Sequence, residues 1–264
     1  MQSICISEQS VSAICMDIFA NPRFGNAILS ISQAYGNLGF WIENLAPGMN
    51  PDATWRALLI VGALKDTRFA AEARRLLVSP DSRVRAWACF ALGQMKDEDA
   101  LEQIYAMNAD PSNRVRIHAW QAVQATVGPE ESNRHFPIRI PTYESLILIS
   151  DDSEKMQITL STLYRKMGFQ IRVASTEQET VNLALAVRPQ AIITDNQKGK
   201  DNLSGLSMTW DLCRRPELRE SIIFMLTADF VEPIFLWSGG DCFLSKYNAT
   251  LDDLANVVME YLHH

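Results

Sequence analysis

The sequence predicts two domains: an all-α array of stacked helix pairs, followed by an α/β domain with a doubly wound parallel sheet. Similar helical segments recur in the N-terminal half, about 30 residues apart. In the C-terminal half, short apolar runs alternate with helical patterns. A stretch with three prolines separates the halves. We therefore assign residues 1–127 to the array, 128–143 to a linker and 144–264 to the α/β domain.

Composition narrows the classes of function. Apolar residues make up 47% and charged residues 21%, so both halves can bury a core. The net charge is −7, and most of the excess negative charge lies in the C-terminal half, which argues against nucleic acid as a partner.

The five cysteines are dispersed and form no CxxC pair, which is typical of free thiols in a reducing compartment. With no apolar run of membrane-spanning length and no signal peptide, we expect a cytoplasmic protein without a membrane span.

Residues 1–50 have helical spacing of apolar residues between Ile28 and Ile42. We interpret them as one or two extra helices that cap the array. Phe40 and Trp41 fit either the core or an exposed patch that binds a partner.

The array is predicted from three helical segments that place Arg56, Arg85 and Arg116 at the same position. The first two are each followed by a second amphipathic stretch. One such pair cannot bury its apolar stripe alone, so neighbouring pairs stack into a continuous core. A plain helical bundle is the alternative.

The pattern V-R-x-x-A-x-x-A-L-G at Val84–Gly93 recurs as V-R-x-x-A-x-x-A-V at Val115–Val123. It resembles the short HEAT-like repeats that are also found in phycobilin lyases, although the first copy has Trp55 in place of the valine. The resemblance implies an array that presents a surface to a protein partner.

The C-terminal half predicts five buried strands and about five helices. Such alternation gives parallel βαβ units in a flavodoxin-like sheet. The predicted strands, in chain order, lie in SLILIS (145–150), FQIRVAS (169–175), QAIITD (190–195), SIIFMLTA (221–228) and DCFLSK (241–246).

Polar residues follow these strands where the ligands of such sheets bind. They are Asp151-Asp152, Asp195, Thr227 and Lys246. Taken singly, each fits a helix cap or a solvated charge. Together, the carboxylates need a hard cation such as Mg²⁺, and Mg²⁺ with a lysine favours a phosphoryl group. A carboxylate there can act as the nucleophile that forms an acyl phosphate.

The stretches LILISDD, AIITD, IIFMLTA and CFLSK resemble the receiver domain of two-component response regulators. The resemblance implies that Asp195 is the phosphoacceptor. It also implies that Asp152, Asp195 and the backbone carbonyl of Gln197 hold Mg²⁺, while Asp151 orients metal-bound water.

By the same resemblance, Lys246 pairs with the phosphoryl group and Thr227 detects it. Phe243 matches an aromatic that turns inward with the threonine, although packing of the fifth strand explains it equally well. The loop after Asp195 lacks the usual Met-Pro pair, and its glycine, Gly205, comes ten residues on rather than eight. Only 19 positions separate Thr227 from Lys246, so we expect a shortened fourth helix.

We therefore expect a signalling protein that is not an enzyme. A histidine kinase or small phosphodonor would phosphorylate Asp195 and thereby alter binding of a protein partner to the array. The altered loop leaves open a pseudo-receiver scaffold that works without phosphorylation. A bilin lyase rests on fold analogy alone. A phosphatase of the haloacid dehalogenase type would need a D-x-D signature, whereas Asp151 and Asp152 are adjacent.

Overall fold

The computed structural model describes residues 49–63, 65–137, 145–196, 204–228, 232–247 and 249–263. The chain divides after Pro137 into two compact units. The helices predicted for residues 1–50 lie almost wholly outside the described residues, and so do Phe40 and Trp41. Among the helices that are described, none has both the length and the apolar character that crossing a bilayer requires.

The described part of the first unit is helical throughout. Its helices are α1 Pro51–Ala63, α2 Ala70–Leu76, α3 Ser82–Met95, α4 Leu101–Ala106, α5 Asn113–Val127 and α6 Pro129–His135. Short 3-10 turns at Thr67–Phe69 and Glu98–Ala100 lead into α2 and α4, and a third turn, Met107–Ala109, follows α4.

The helices stack as the repeat pattern predicts. A Cβ on Gly62 of α1 would come within 2.8 Å of the Ala91 backbone in α3. A Cβ on Gly93 of α3 would come within 2.5 Å of the Ala122 backbone in α5. Two close approaches between successive long helices fit an array of similar units.

Polar residues between the helices set the boundaries of the repeat. Asp81 caps α3 by accepting hydrogen bonds from the backbone N–H groups of Arg83 and Val84. Arg85 forms a two-point ion pair with Asp110 in the next connection, at 2.8 and 2.9 Å. The repeated arginine thus links one helix pair of the array to the next.

The prediction that the linker begins at residue 128 is wrong, because Pro129–His135 is helix α6. Proline suits the first position of a helix, where its missing N–H is not needed. Ser132 and Phe136 are buried, and the Trp120 indole donates a hydrogen bond to Asn133 at 3.1 Å. The helix therefore packs on α5 as part of the first unit. Residues 138–144 of the predicted linker lie outside the described part of the chain.

The second unit contains a five-stranded sheet in the order β2-β1-β3-β4-β5, and every pair is parallel. This is the doubly wound, flavodoxin-like order that the sequence predicts. The strands are β1 Leu146–Ser150, β2 Gln170–Ala174, β3 Ala191–Thr194, β4 Ile222–Thr227 and β5 Cys242–Ser245. The helices are α7 Glu154–Lys166, α8 Glu177–Val187, α9 Ser204–Cys213, α10 Glu232–Trp237 and α11 Leu251–His263.

The parallel strands bring all their carboxyl ends to one edge of the sheet, which we call the rim. Ser153 and Thr176 cap α7 and α8 just beyond this rim. The described part of the helix between β4 and β5 is Glu232–Trp237, and the residues just before it, 229–231, lie outside the described part of the chain. The connection from β4 to β5 is short, and Lys246 follows β5 directly.

Candidate functional site

Three carboxylates meet at the rim. Asp151 follows β1, and Asp195 follows the neighbouring strand β3. One oxygen from each of Asp151, Asp152 and Asp195 lies within 4.8 Å of the other two. Asp151 and Asp195 are buried, whereas Asp152 is exposed. The cluster therefore has a solvent-facing side from which a cation or a phosphate can enter.

Lys246 supplies the positive charge at this cluster. Its Nζ lies 2.7 Å from Oδ2 of Asp195 and 3.4 Å from Oδ2 of Asp151. Its backbone N–H donates to the carbonyl oxygen of Thr227 at 2.8 Å, so the end of β4 holds the lysine in place. One ammonium thus bridges the two buried carboxylates.

Backbone donors hold the other carboxylate oxygens. Oδ1 of Asp195 accepts a hydrogen bond from the N–H of Asn196 at 2.7 Å. Oδ1 of Asp151 accepts one from the N–H of Ser153 at 2.9 Å. Each buried carboxylate therefore has one oxygen fixed by the main chain and the other turned towards the lysine.

Gln157 is a further residue of the site, and the sequence did not predict it. Its side-chain amide donates to the carbonyl oxygen of Asp151 at 2.6 Å and to the hydroxyl of Ser175 at 3.0 Å. It ties the connection after β1 to the connection after β2. No sequence motif marks it, because a glutamine one turn into a helix is usually a solvated residue.

Gly205 packs directly beneath the cluster. A Cβ at this position would lie 2.2 Å from the carbonyl oxygen of Asp195 and 2.6 Å from the Cα of Asn196. Its N–H donates to the carbonyl oxygen of Asn196 at 3.1 Å. Gly205 comes later in the sequence than usual, yet the backbone after Asp195 leaves no room for a larger residue at this position.

Burial and charge shift the pKa values in this cluster. Burial raises the pKa of Asp151, and the neighbouring Asp195 adds to the rise. Together they outweigh the Ser153 N–H and Lys246, which favour the ionised form. Burial alone would lower the pKa of Lys246, but the contacts with Asp195 and Asp151 hold it above its ordinary value. The lysine is therefore charged at neutral pH.

The other predicted site residues lie around this cluster. Thr227 is the buried last residue of β4, two positions beyond Met225, which pairs with Thr194. Phe243 lies in β5, partly buried, with its ring centroid 6.5 Å from that of Phe235. This contact is compatible with both interpretations of Phe243. Gln197 lies outside the described residues.

The donor set fits a magnesium ion. Mg²⁺ binds oxygen at about 2.0–2.1 Å in octahedral geometry, so its ligand oxygens lie roughly 3–4 Å apart. Carboxylate oxygens within 4.8 Å of one another reach that spacing with small side-chain movements. Asp152, on the exposed side, leaves room for water and for a phosphate oxygen. The described residues could thus hold Mg²⁺, as the sequence predicts.

Comparisons with known proteins found a family model for the N-terminal region and solved structures similar to the C-terminal region. Residues 39–124 match the family model described as HEAT repeats, which confirms the prediction for the N-terminal region. No curated protein sequence is significantly similar to this chain. Solved structures similar to part of the chain include receiver domains and response regulators.

Three of these structures illustrate the similarity. A chemotaxis response regulator of Vibrio cholerae shares 20% identity, covers 45% of this chain and 99% of its own, and has a TM-score of 0.42. The signal receiver domain of a histidine kinase from Syntrophus aciditrophicus shares 26% identity over 45% and 89%, with a TM-score of 0.40. A response regulator from Burkholderia pseudomallei, with a phosphorylated aspartic acid and a calcium ion, shares 26% identity over 46% and 67%, with a TM-score of 0.40.

Proposed function

We propose that the second unit is a receiver that accepts a phosphoryl group on Asp195 and thereby regulates binding of a protein partner to the helical array. One observation carries the proposal. The Lys246 ammonium lies 2.7 Å from Asp195, at the rim where three carboxylate oxygens gather. A buried acid beside a fixed cation and a metal-binding cluster is suited to phosphoryl transfer.

In the proposed reaction, an oxygen of Asp195 attacks the phosphorus of a phosphohistidine or an acyl phosphate. The new P–O bond forms as the bond from phosphorus to the donor's nitrogen or oxygen breaks, and that electron pair leaves with the donor. Bound Mg²⁺ would neutralise charge between the carboxylates and the phosphoryl oxygens. Lys246 would move from the carboxylate to a phosphoryl oxygen, and the Thr227 hydroxyl would donate a hydrogen bond to another.

The product adds about −1.5 to −2 charges at the rim. We propose that this charge biases a two-state surface formed by β4, α10 and β5. The cognate donor would be a histidine kinase or a small acyl phosphate, and the chain itself would accept the group rather than turn over a substrate. Cys89, Cys213 and Cys242 are free thiols, which suits the expected cytoplasmic location.

The direct test is phosphorylation of the full chain. We expect incubation with acetyl phosphate and Mg²⁺ to add the mass of one phosphoryl group to the intact protein. Asp195→Asn should abolish the adduct, while Asp211→Asn, which changes an exposed acid in the same unit, should retain it. An adduct that survives in Asp195→Asn would refute the assignment. A pull-down with wild type and Asp195→Ala would then show whether partner binding depends on this site.

A second candidate function is a scaffold that works without phosphorylation. The observation that favours it is that Lys246 already contacts both buried carboxylates, so the cluster is partly neutralised without a metal. A beryllofluoride titration separates the two functions. Tight binding that requires Mg²⁺ supports the receiver, and no binding supports the scaffold.

A further inference from the structure

Gln157 joins two connections at the rim through a single amide nitrogen. This nitrogen, Nε2, donates one hydrogen bond to the backbone carbonyl oxygen of Asp151 at 2.6 Å and another to the Ser175 hydroxyl at 3.0 Å. A primary amide has two N–H groups in one plane, at a fixed angle to each other. The bond to Asp151 therefore sets the direction in which the second N–H can reach Ser175.

The Asp151 end of this link is next to the exposed carboxylate of the cluster. The carbonyl group of Asp151 and the N–H of Asp152 belong to the same planar peptide unit, so a hydrogen bond that fixes the carbonyl also fixes the plane from which Asp152 projects. Asp151 is held elsewhere as well, because its N–H donates to the carbonyl oxygen of Ala174 at 3.2 Å and its Oδ1 accepts from the N–H of Ser153. Gln157 thus holds the peptide unit that leads to Asp152.

The Ser175 end of the link lies at the exposed start of α8. The Ser175 N–H donates to Oε2 of Glu179 at 2.8 Å, and the Glu179 N–H donates to Oγ1 of Thr176 at 3.2 Å. These bonds satisfy N–H groups that the first turn of a helix would otherwise leave without partners. Ser175, Thr176 and Glu179 are all exposed, so water competes for each bond. One added hydrogen bond here changes how often the helix end opens.

We propose that Gln157 is a positioning residue for Asp152 and that, through Ser175, it transmits occupancy of the carboxylate cluster to the first turn of α8. The inference rests on the proposed function, because it takes the cluster as a Mg²⁺ site. The route ends at the edge of the sheet formed by β2, opposite the edge formed by β5. It is therefore distinct from the two-state surface of β4, α10 and β5.

The coupling follows from what each bond restricts. When Asp152 is a metal ligand, its carboxylate has to stay near those of Asp151 and Asp195, and the peptide unit before it loses rotational freedom. The Asp151 carbonyl oxygen then remains where Gln157 reaches it, and the second N–H remains aimed at Ser175. Linkage is reciprocal, so the factor by which the occupied cluster strengthens the Gln157–Ser175 bond is also the factor by which this bond raises the affinity for the cation.

The first test is hydrogen exchange of the full chain, measured by mass spectrometry during a Mg²⁺ titration. Peptides that contain residues 151–153 report binding, and peptides that contain residues 175–179 report transmission. In wild type, Mg²⁺ should slow exchange in both, and in residues 175–179 by about fivefold, the effect of one ordinary hydrogen bond. In Gln157→Leu, saturating Mg²⁺ should slow only residues 151–153. Gln170→Leu, the same substitution at the exposed start of β2, should behave like wild type.

The outcomes separate this inference from the proposed function. If Mg²⁺ slows residues 151–153 but not residues 175–179 of the wild type, transmission is wrong and the metal site stands. If Mg²⁺ slows neither, both are wrong. A tie that is only structural would hold α8 equally with and without Mg²⁺, so slowing of residues 175–179 that persists in Gln157→Leu would also overturn the inference.

Ser175→Ala gives a second readout, because it removes the outer bond and leaves the bond from Gln157 to Asp151 in place. By linkage, this variant should bind Mg²⁺ about fivefold more weakly in calorimetric titration. Thr162→Ala removes an exposed hydroxyl of α7 that bonds within its own helix, and it should keep the wild-type affinity. Wild-type affinity in Ser175→Ala would overturn transmission even if Gln157→Leu failed to fold.

Discussion

Replacing Lys246 by Met tests the electrostatic basis of the rim, because it removes the charge and keeps most of the side-chain volume. Two unit charges 2.7 Å apart attract by about 6 kcal/mol at an effective dielectric near 20. Breaking a buried pair costs about 3–5 kcal/mol in practice. The Lys246 side chain is 23% exposed, so water screens part of this. We expect a loss of about 2–3 kcal/mol at pH 7 without Mg²⁺.

The assay is hydrogen exchange of backbone amides in β1 and β3, measured by mass spectrometry on the full chain, which reports on the second unit alone. A loss of about 2 kcal/mol makes exchange through global opening of the unit roughly 30-fold faster. Mg²⁺ should slow exchange more in Lys246→Met than in wild type, because the carboxylates have lost their competing ammonium. Lys155→Met, which removes an exposed lysine of α7, should behave like wild type.

The effect should depend on pH in a defined direction. Lys246 has a raised folded pKa, so its stabilisation is complete below its ordinary pKa of 10.5 and is lost as pH rises through the folded value. Asp151 also has a raised folded pKa, so its ionisation opposes folding as pH rises through that value. Removing the lysine raises the pKa of Asp151 further. The penalty should be small below pH 3.8 and grow towards pH 7. Equal exchange rates in variant and wild type at pH 7 would refute this reasoning.

Three further predictions concern other contacts. Gly205→Ala should destabilise the second unit by about 1–3 kcal/mol, because the backbone after Asp195 must move to make room for the methyl group. It should also prevent phosphorylation of Asp195. Thermal melting measures the loss of stability, and the mass of the intact protein measures phosphorylation. Gln157→Leu should weaken Mg²⁺ binding in calorimetric titration, whereas the exposed Gln178→Leu should not; equal affinities would contradict the positioning role. Arg85→Ala leaves Asp110 without its two-point partner and should cost about 3 kcal/mol in the array, read from hydrogen exchange in α3; unchanged protection would contradict this.

The sequence predicted the parts of the fold that depend on local pattern. All five strands lie in the predicted apolar runs. The three central strands β1, β3 and β4 are almost wholly buried, so their sequences are continuous apolar runs that end at a polar residue. The predicted linker was wrong at α6, because proline was treated only as a helix breaker and not as a first residue. Gln157 could not be predicted, because its function depends on a contact with Ser175, eighteen positions away.

The repeated arginines of the array show the same limit of the sequence. Arg56, Arg85 and Arg116 repeat in the sequence. Arg85 and Arg116 form hydrogen bonds with the connections between helices, and Arg56 forms one with the first turn of its own helix. The arginines two positions earlier repeat as well, at positions 83 and 114, yet the pattern alone assigns them no purpose. Burial does not separate the two sets, because Arg116 is 7% exposed and Arg83 is 6% exposed. In this array, therefore, Arg85 and Arg116 both contact Asp110, and this link between repeats depends on a contact that the repeat pattern alone does not show.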